Sequence, residues 1–149
     1  MKTYLVTGAA GFIGSNFVKY LLKKYGEDIQ IIIVDALTYA GNLASIKDEI
    51  ELDNVSFVKS DIADYETIKS VFTNNDIDYV VNFAAESHVD RSITNPKLFL
   101  ETNIIGTQNM LQCAREAWYV GKDEMGNLVY KDGVKYLQIS TDEVYGSLE

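Results

Sequence analysis

Three glycines stand between a short apolar run and a stretch with helical spacing near the start of the chain. They lie in Gly8-Ala9-Ala10-Gly11-Phe12-Ile13-Gly14. Glycines permit a tight turn and let backbone N–H groups approach a diphosphate, whose charge then faces the helix N-terminus. A glycine pattern alone is a weak signal, but here a predicted strand precedes it and a predicted helix follows. The motif therefore predicts a dinucleotide site on a strand–turn–helix unit.

Asp35 ends the next predicted strand, 21 residues after Gly14. Its carboxylate can accept hydrogen bonds from both ribose hydroxyls of a dinucleotide, and it would repel a 2′-phosphate. The sequence therefore favours NAD over NADP. The alternative is a structural turn followed by an ordinary strand-end aspartate.

β-rich runs alternate with helical patterns along the rest of the chain. The predicted strands are residues 4–6, 29–34, 55–58, 79–83 and 135–139, and the predicted helices are residues 12–24, 65–72 and 96–118. This alternation predicts an α/β fold: a Rossmann-type doubly wound parallel sheet in the order 3-2-1-4-5. We expect one NAD-binding domain over residues 1–149, with ligands at the carboxyl ends of the strands. Two turn signals in residues 122–133 predict a small exposed hairpin or loop.

The composition limits the partners of the chain. Its 22 acidic and 13 basic residues give a formal net charge of −9, which repels nucleic-acid backbones. No apolar run is long enough to span a bilayer and no secretory signal is found, so we expect a cytoplasmic protein without a membrane partner. Cys113 and His88 are single residues of their types, so no zinc site of the usual kind is expected. Cys113 is predicted to be a buried core thiol.

Two further strand ends carry candidate ligand contacts. Asp61-Ile62 follows the third strand and is either an edge for an adenine ring or an ordinary helix N-cap region. The end of the fourth strand carries Asn82-Phe83-Ala84-Ala85-Glu86-Ser87, where small residues would let the backbone lie along a cofactor. The alternative is a tight exit from the strand into a loop. His88 could act as a catalytic base, although a lone loop histidine is more often a hydrogen-bonding or surface residue.

Five stretches together resemble one family. Thr7 to Gly14 looks like the cofactor motif of extended short-chain dehydrogenase/reductases. The other stretches are Asp35-Ala36-Leu37-Thr38-Tyr39-Ala40-Gly41-Asn42, Ala84-Ala85-Glu86-Ser87-His88-Val89-Asp90-Arg91-Ser92, Thr102-Asn103-Ile104-Ile105-Gly106-Thr107 and Ser140-Thr141-Asp142-Glu143-Val144-Tyr145-Gly146. Together they resemble the N-terminal portion of the dTDP-glucose 4,6-dehydratase family, and the Thr-Asp-Glu triplet is particular to sugar-nucleotide 4,6-dehydratases.

The resemblance implies a reaction on dTDP-glucose, with NAD as a tightly held cofactor. Hydride leaves C4 of the sugar, water is eliminated across C5 and C6, and the hydride returns to C6, which gives a 4-keto-6-deoxy sugar. By the same resemblance, Asp142 is the acid at the C6 hydroxyl, Glu143 is the base at C5 and Thr141 holds the 4-hydroxyl. An elimination needs one protonated and one ionised carboxyl group, which agrees with these roles.

The resemblance also implies the cofactor contacts. Ser87 matches a residue that touches both cofactor and substrate, and Asn103 matches the active-site asparagine of the wider superfamily. The matching cofactor contacts, together with the glycines of the motif, are Gly8, Gly11, Phe12, Ile13, Gly14, Asp35, Ala36, Leu37, Thr38, Asp61, Ile62, Phe83, Ala84, Ala85, Glu86, Ser87 and Thr102. Family members form homodimers through the long helix and a helix beyond Glu149.

The sequence departs from the family at one essential point. The family carries a Tyr-x-x-x-Lys pair on the helix after the fifth strand, and this sequence ends at Glu149, before that helix. The matches at Tyr20…Lys24 and Tyr65…Lys69 fall in helices after the first and third strands, so we interpret them as accidental. We therefore expect a fragment whose sheet ends at its fifth strand and which lacks the substrate domain. We expect this fragment to be inactive on its own.

Two other functions remain open. The chain could be an NAD-binding module without catalysis, although such a module has no use for Asp142-Glu143. It could also belong to another nucleotide-sugar dehydratase or to an epimerase, since these share the glycine motif. The Ala-Glu-Ser-His-Val-Asp-Arg-Ser stretch at residues 85–92 argues against GDP-mannose dehydratases and epimerases.

Overall fold

Seven strands and five α-helices make up the described part of the chain. The computed structural model describes residues 1–146, except the side chain of Glu143. In chain order the strands are β1 (Lys2–Thr7), β2 (Ile29–Asp35), β3 (Val55–Lys59), β4 (Tyr79–Asn82), β5 (Tyr119–Lys122), β6 (Leu128–Tyr130) and β7 (Lys135–Gln138). The α-helices are α1 (Phe12–Tyr25), α2 (Tyr65–Asn74), α3 (Val89–Thr94), α4 (Pro96–Phe99) and α5 (Thr107–Trp118). Short 3₁₀ turns cover Gly26–Asp28, Leu43–Ile46, Glu49–Glu51 and Asp142–Val144.

The main sheet is parallel and has the order β3-β2-β1-β4-β7. Its strands are rich in β-branched residues because helices cover both faces. On one face, strand residues such as Leu5 and Val80 pack against α2 and α5. On the other, residues such as Val6 and Ile33 pack against α1. The predicted doubly wound sheet and its strand order are confirmed.

Cys113 lies within the core between the sheet, α2 and α5, and is 2% exposed. Burial raises the pKa of its thiol to about 11, so the thiol stays protonated and unreactive at neutral pH. The predicted core thiol is confirmed.

The long helix predicted over residues 96–118 has its expected bounds but not a uniform geometry. Pro96 occupies its first turn, as the fixed φ of proline favours. Between α4 and α5, however, Leu100–Gly106 forms a π-helix, and the backbone stays helical at both junctions. The sequence did not indicate α3, which lies just before this helix. π-helical turns are rare and often occur at functional sites, and this one lies beside the cavities described below.

The predicted hairpin is present as the antiparallel pair β5–β6, although β5 already begins at Tyr119. Lys131, just after β6, attaches the hairpin to the end of α5 and to the loop before β4. Its backbone N–H donates to Trp118 O, and its Nζ lies 2.6 Å from Asp76 Oδ1. A neighbouring ion pair joins Lys2 Nζ to Asp78 Oδ1 at 2.7 Å.

Asp78 should make folding stability depend on acid pH. Burial alone would raise its pKa, but hydrogen bonds from Lys2 and the Thr3 backbone outweigh burial and lower the pKa. Stability from a lowered pKa is present above the ordinary aspartate value of about 3.9 and is lost as the pH falls through the folded-state value. We expect Asp78→Asn to lower the free energy of unfolding at neutral pH by about 2 kcal/mol and to flatten this acid dependence.

Urea unfolding between neutral and acid pH measures both effects. Asp76→Asn is the matched control, because Asp76 also pairs with a lysine, Lys131, but its side chain is 89% exposed. Such exposed pairs contribute about 0–1 kcal/mol. Equal losses in the two variants would contradict the assignment to Asp78.

None of the helices in residues 1–146 combines the length and the apolar character that a membrane span requires.

Candidate functional site

A cavity of about 400 Å³ opens at the carboxyl ends of the central strands, and we name it the central cavity. Turns after β1, β2, β3 and β4 line it, and the long helix closes one side. Of the predicted cofactor contacts it brings together Gly8, Gly11, Phe12, Ile13, Gly14, Asp35, Ala36, Thr38, Asp61, Ile62, Phe83, Ala84, Ala85, Glu86, Ser87 and Thr102. Leu37 is the exception: it does not line the cavity, and its side chain packs against the core cluster around α1.

The three glycines of the turn have different roles. A Cβ on Gly8, where φ is +66°, would lie 2.7 Å from the backbone nitrogen of Ala84. The loop after β4 therefore leaves no room for a side chain at this position. A Cβ on Gly14 would lie 2.8 Å from Ala9 Cα, so glycine lets α1 approach the turn. At Gly11 the nearest atom would be Gly8 O at 3.3 Å, which leaves its outer side open to a ligand.

The N-terminus of α1 faces the central cavity without a built-in partner. Gly11 provides no side-chain cap, and the first turn has no acidic residue. The first amides of a helix lack intrahelical acceptors and favour an anion. Beside them, Phe12 is 85% exposed and Ile13 is 63% exposed, and both line the cavity. Both features are expected of a turn that holds an anionic group covered by apolar surface.

Asp35 is held rigidly at the end of β2. Its Oδ2 accepts from Ala10 N at 2.8 Å, its Oδ1 accepts from Leu37 N at 2.7 Å, and it is 8% exposed. Each carboxylate oxygen has a second lone pair, so both remain able to accept from a ligand hydroxyl. The two backbone donors thus aim a pre-oriented carboxylate into the cavity.

The exit of β3 is attached to the long helix. Asp61 Oδ1 accepts from Ala63 N, and Ile62 is buried against Gly106, where a Cβ would lie 2.5 Å from Ile62 Cγ1. Asn109 donates to the carbonyl groups of Ile62 and Ala63 at 3.2 and 3.0 Å. Sequence reasoning missed Asn109, although a polar residue four positions before Cys113 on the core face was a usable signal.

The exit of β4 is attached to the π-helical turn. Asn103 accepts from Glu86 N through Oδ1 and donates to Glu86 O through Nδ2, both at 2.8 Å. Asn103 therefore binds both backbone groups of one residue and holds the loop after β4 in place. Among the described residues, the buried Glu86 Oε2 has no hydrogen-bond partner. An unpartnered buried carboxylate oxygen is costly, so a donor from a bound ligand would stabilise it.

A second cavity of about 410 Å³, the lateral cavity, adjoins the central one. The two share a wall made of residues 84–87 and 139–141, so Ser87 and Thr141 line both. Asp142 follows, exposed, at the start of the last 3₁₀ turn. The side chain of Glu143, predicted as the base, lies outside the described residues.

The remaining candidates lie elsewhere. His88 is exposed before α3, with its ring edge-on to Tyr39, and it lines neither cavity. In both Tyr-x-x-x-Lys matches the lysine lies over its own tyrosine ring: Lys24 Nζ is 5.7 Å from the Tyr20 centroid, and Lys69 Nζ is 5.5 Å from that of Tyr65. Neither pair lines the two cavities. Within the described part of the chain, no group of three His, Cys, Asp or Glu residues is placed to hold a metal ion.

Comparison with known proteins agrees with this geometry. The dTDP-glucose 4,6-dehydratase of Xanthomonas campestris pv. campestris is 45% identical over 149 residues, which are 99% of this chain and 40% of that protein. The crystal structure of dTDP-glucose 4,6-dehydratase from Bacillus anthracis str. Ames in complex with NAD has a TM-score of 0.78 at 40% identity, over 100% of this chain and 40% of that one. The same coverage holds for a UDP-glucose-4-epimerase from Stenotrophomonas maltophila with bound NAD, at a TM-score of 0.76 and 26% identity.

The predicted resemblance is thus confirmed, and the chain spans about 40% of the length of the relatives it matches. A family described as GDP-mannose 4,6 dehydratase matches residues 5–149. With nearly the whole chain matched, this protein belongs to that family.

Proposed function

We propose that the chain is the NAD-binding part of a dTDP-glucose 4,6-dehydratase. One observation carries the proposal: the cavity beneath the glycine turn shares a wall with a second cavity, and Thr141 and Ser87 line both. A hydride transfer needs cofactor and substrate in contact, and adjoining cavities provide for it. The curated relatives named for this reaction support the choice of substrate.

The residues of the central cavity fit NAD. The uncapped N-terminus of α1 would bind the diphosphate, and Asp35 would accept from the ribose hydroxyls. Asp61 and Ile62 would border the adenine ring, and Glu86 Oε2 would accept from a ligand donor. When bound, NAD supplies a hydride acceptor and donor at this site.

Two residues of the wall shared by the two cavities would contact the sugar, and the two acids that follow Thr141 in the sequence would act on it, although Asp142 itself lines neither cavity. Thr141 would hold the 4-hydroxyl, and Ser87 would contact both ligands. Asp142 would protonate the leaving C6 hydroxyl, while Glu143 would remove the C5 proton.

The proposal includes a limit on activity. The oxidation step of the family requires a Tyr-x-x-x-Lys pair beside the substrate, and the two pairs of this chain lie away from both cavities. We therefore propose that residues 1–149 bind NAD without turnover. The full enzyme would act in the cytoplasm as a homodimer, through the long helix that exposes Leu100, Ile104 and Leu111.

Calorimetric titration of the chain with NAD⁺ tests the proposal, together with an assay for the 4-keto product from dTDP-glucose. We expect saturable binding and no product. Asp142→Asn is the matched control, since Asp142 is exposed outside the central cavity and its substitution should leave binding unchanged. A folded sample that does not bind millimolar NAD⁺ would overturn the cofactor assignment, and product formation would overturn the limit on activity.

The other nucleotide-sugar enzymes remain the second candidate, because an epimerase shares the fold over the whole chain. The identities favour the dehydratase, with 45% and 40% for two dehydratases against 25% to 37% for epimerases of known structure. A module that binds NAD without catalysis would need only the central cavity, so the lateral cavity argues for an enzyme.

A further inference from the structure

Tyr39 lies at the tip of the loop after β2 and contacts the first turn of α3. The Cζ atom of Arg91 lies 3.8 Å from the centroid of its ring, and the His88 ring meets it edge-on at 6.2 Å. A guanidinium group this close to an aromatic face is attracted by the negative charge of the face. The contact therefore joins two segments that are about 50 residues apart in the sequence.

The two segments both contribute to the lining of the central cavity. Ala36, Thr38 and Ala40 of the β2 loop line it, and so do residues 84–87, which lead directly into α3. The tip of the β2 loop has few other attachments: Asn42 N donates to Ala10 O, and Gly41 N donates to Thr38 O. The Tyr39–Arg91 contact thus joins the tip of this loop to the segment that follows residues 84–87.

The Arg91 side chain is placed by its contact with Tyr39. Among the described residues 1–146, it forms no ion pair with a carboxylate, although acids outnumber bases in the chain. Its guanidinium group is instead directed onto the ring of Tyr39. Packing against the ring removes water from the guanidinium group, and this costs little free energy because a guanidinium group is weakly hydrated.

We propose that Tyr39 and Arg91 are positioning residues that hold the β2 loop over a bound dinucleotide and slow its release. The inference rests on the proposed function, since it requires a dinucleotide in the central cavity. The stacked pair would resist movement of the β2 loop away from the segment after β4, and such movement would open the cavity that both segments line. The residues act on the dissociation rate without touching the reacting atoms.

Stopped-flow displacement of NADH by excess NAD⁺ measures this rate through NADH fluorescence. We expect Tyr39→Ala and Arg91→Ala each to speed dissociation about fivefold, as the loss of one cation–π contact implies. Tyr39→Phe retains the aromatic face and should retain the slow rate. The double variant should be no faster than either single one, because both substitutions remove the same contact.

Tyr20→Ala is the matched control, because Tyr20 also lies under a lysine, on the exposed face of α1. It should leave the dissociation rate unchanged, and all variants should keep their urea midpoints. Unchanged dissociation in Tyr39→Ala, or additive effects in the double variant, would overturn the proposal. NADH binding by the wild type would in that case still support the cofactor site. If the wild type does not bind NADH, both the proposal and the proposed function fail.

Discussion

Gly8→Ala is expected to destabilise the chain by about 3 kcal/mol, from a left-handed backbone and a backbone clash together. The φ of +66° at Gly8 disfavours any side chain, and the added Cβ would lie 2.7 Å from Ala84 N and 2.8 Å from Phe83 C. These are backbone atoms of the loop after β4, so they cannot rotate away as a side chain would. Relief requires β1 and the exit of β4 to separate, which would also distort the wall shared by the two cavities.

The free energy of unfolding in urea measures the effect, with Gly126→Ala as the control. Gly126 has a φ of +84°, and a Cβ at this position would meet nothing within 4 Å, so its substitution carries the conformational cost without the clash. We expect that variant to lose about 1 kcal/mol. Equal losses at the two glycines would show that the close approach to β4 contributes nothing.

Asp35→Asn should weaken NAD⁺ binding about 30-fold, since a hydrogen bond to a charged group contributes about 2 kcal/mol. The substitution keeps the shape of the side chain but removes its charge, and it places an NH₂ group against Ala10 N or Leu37 N, which donate to the carboxylate in the native chain. The same change removes the repulsion of a 2′-phosphate. NADP⁺ should therefore lose much less affinity than NAD⁺.

Parallel calorimetric titrations with the two nucleotides give the selectivity ratio. Asp48→Asn removes one negative charge from an exposed residue outside both cavities and should change neither affinity. If Asp35→Asn weakened both nucleotides equally, the carboxylate would be supporting the loop without reading the ribose.

The sequence predicted the parts of the site that depend on local chemistry. Glycines at the first turn and an aspartate at the second strand end together indicate a dinucleotide site when strands and helices alternate around them. The family resemblance places Leu37 among the cofactor contacts, and its side chain packs against the core, so only its backbone is left to contact a ligand. A position in a motif does not determine whether a side chain points towards the ligand or away from it.

The parts that the sequence did not predict depend on contacts between distant segments. The bidentate contact of Asn103 with Glu86 and the burial of Asn109 at the exit of β3 bring together residues 17 and 47 positions apart. The wall shared by the two cavities likewise joins residues 84–87 to residues 139–141. Hydrophobic periodicity identified the long helix and its proline start, but it carries no information on such pairings.

The π-helical turn sets the angular phase of the long helix. Thr102 faces the central cavity and Asn103 holds Glu86, while Ile104 and Ile105 are exposed. Removing one residue from Leu100–Gly106 would rotate the preceding turns by about 100° relative to α5, the angle of one residue in an α-helix. The contact of Asn103 with Glu86 and the outward position of Ile104 and Ile105 could then not both be kept. The segment should therefore tolerate an exchanged side chain more readily than a changed length.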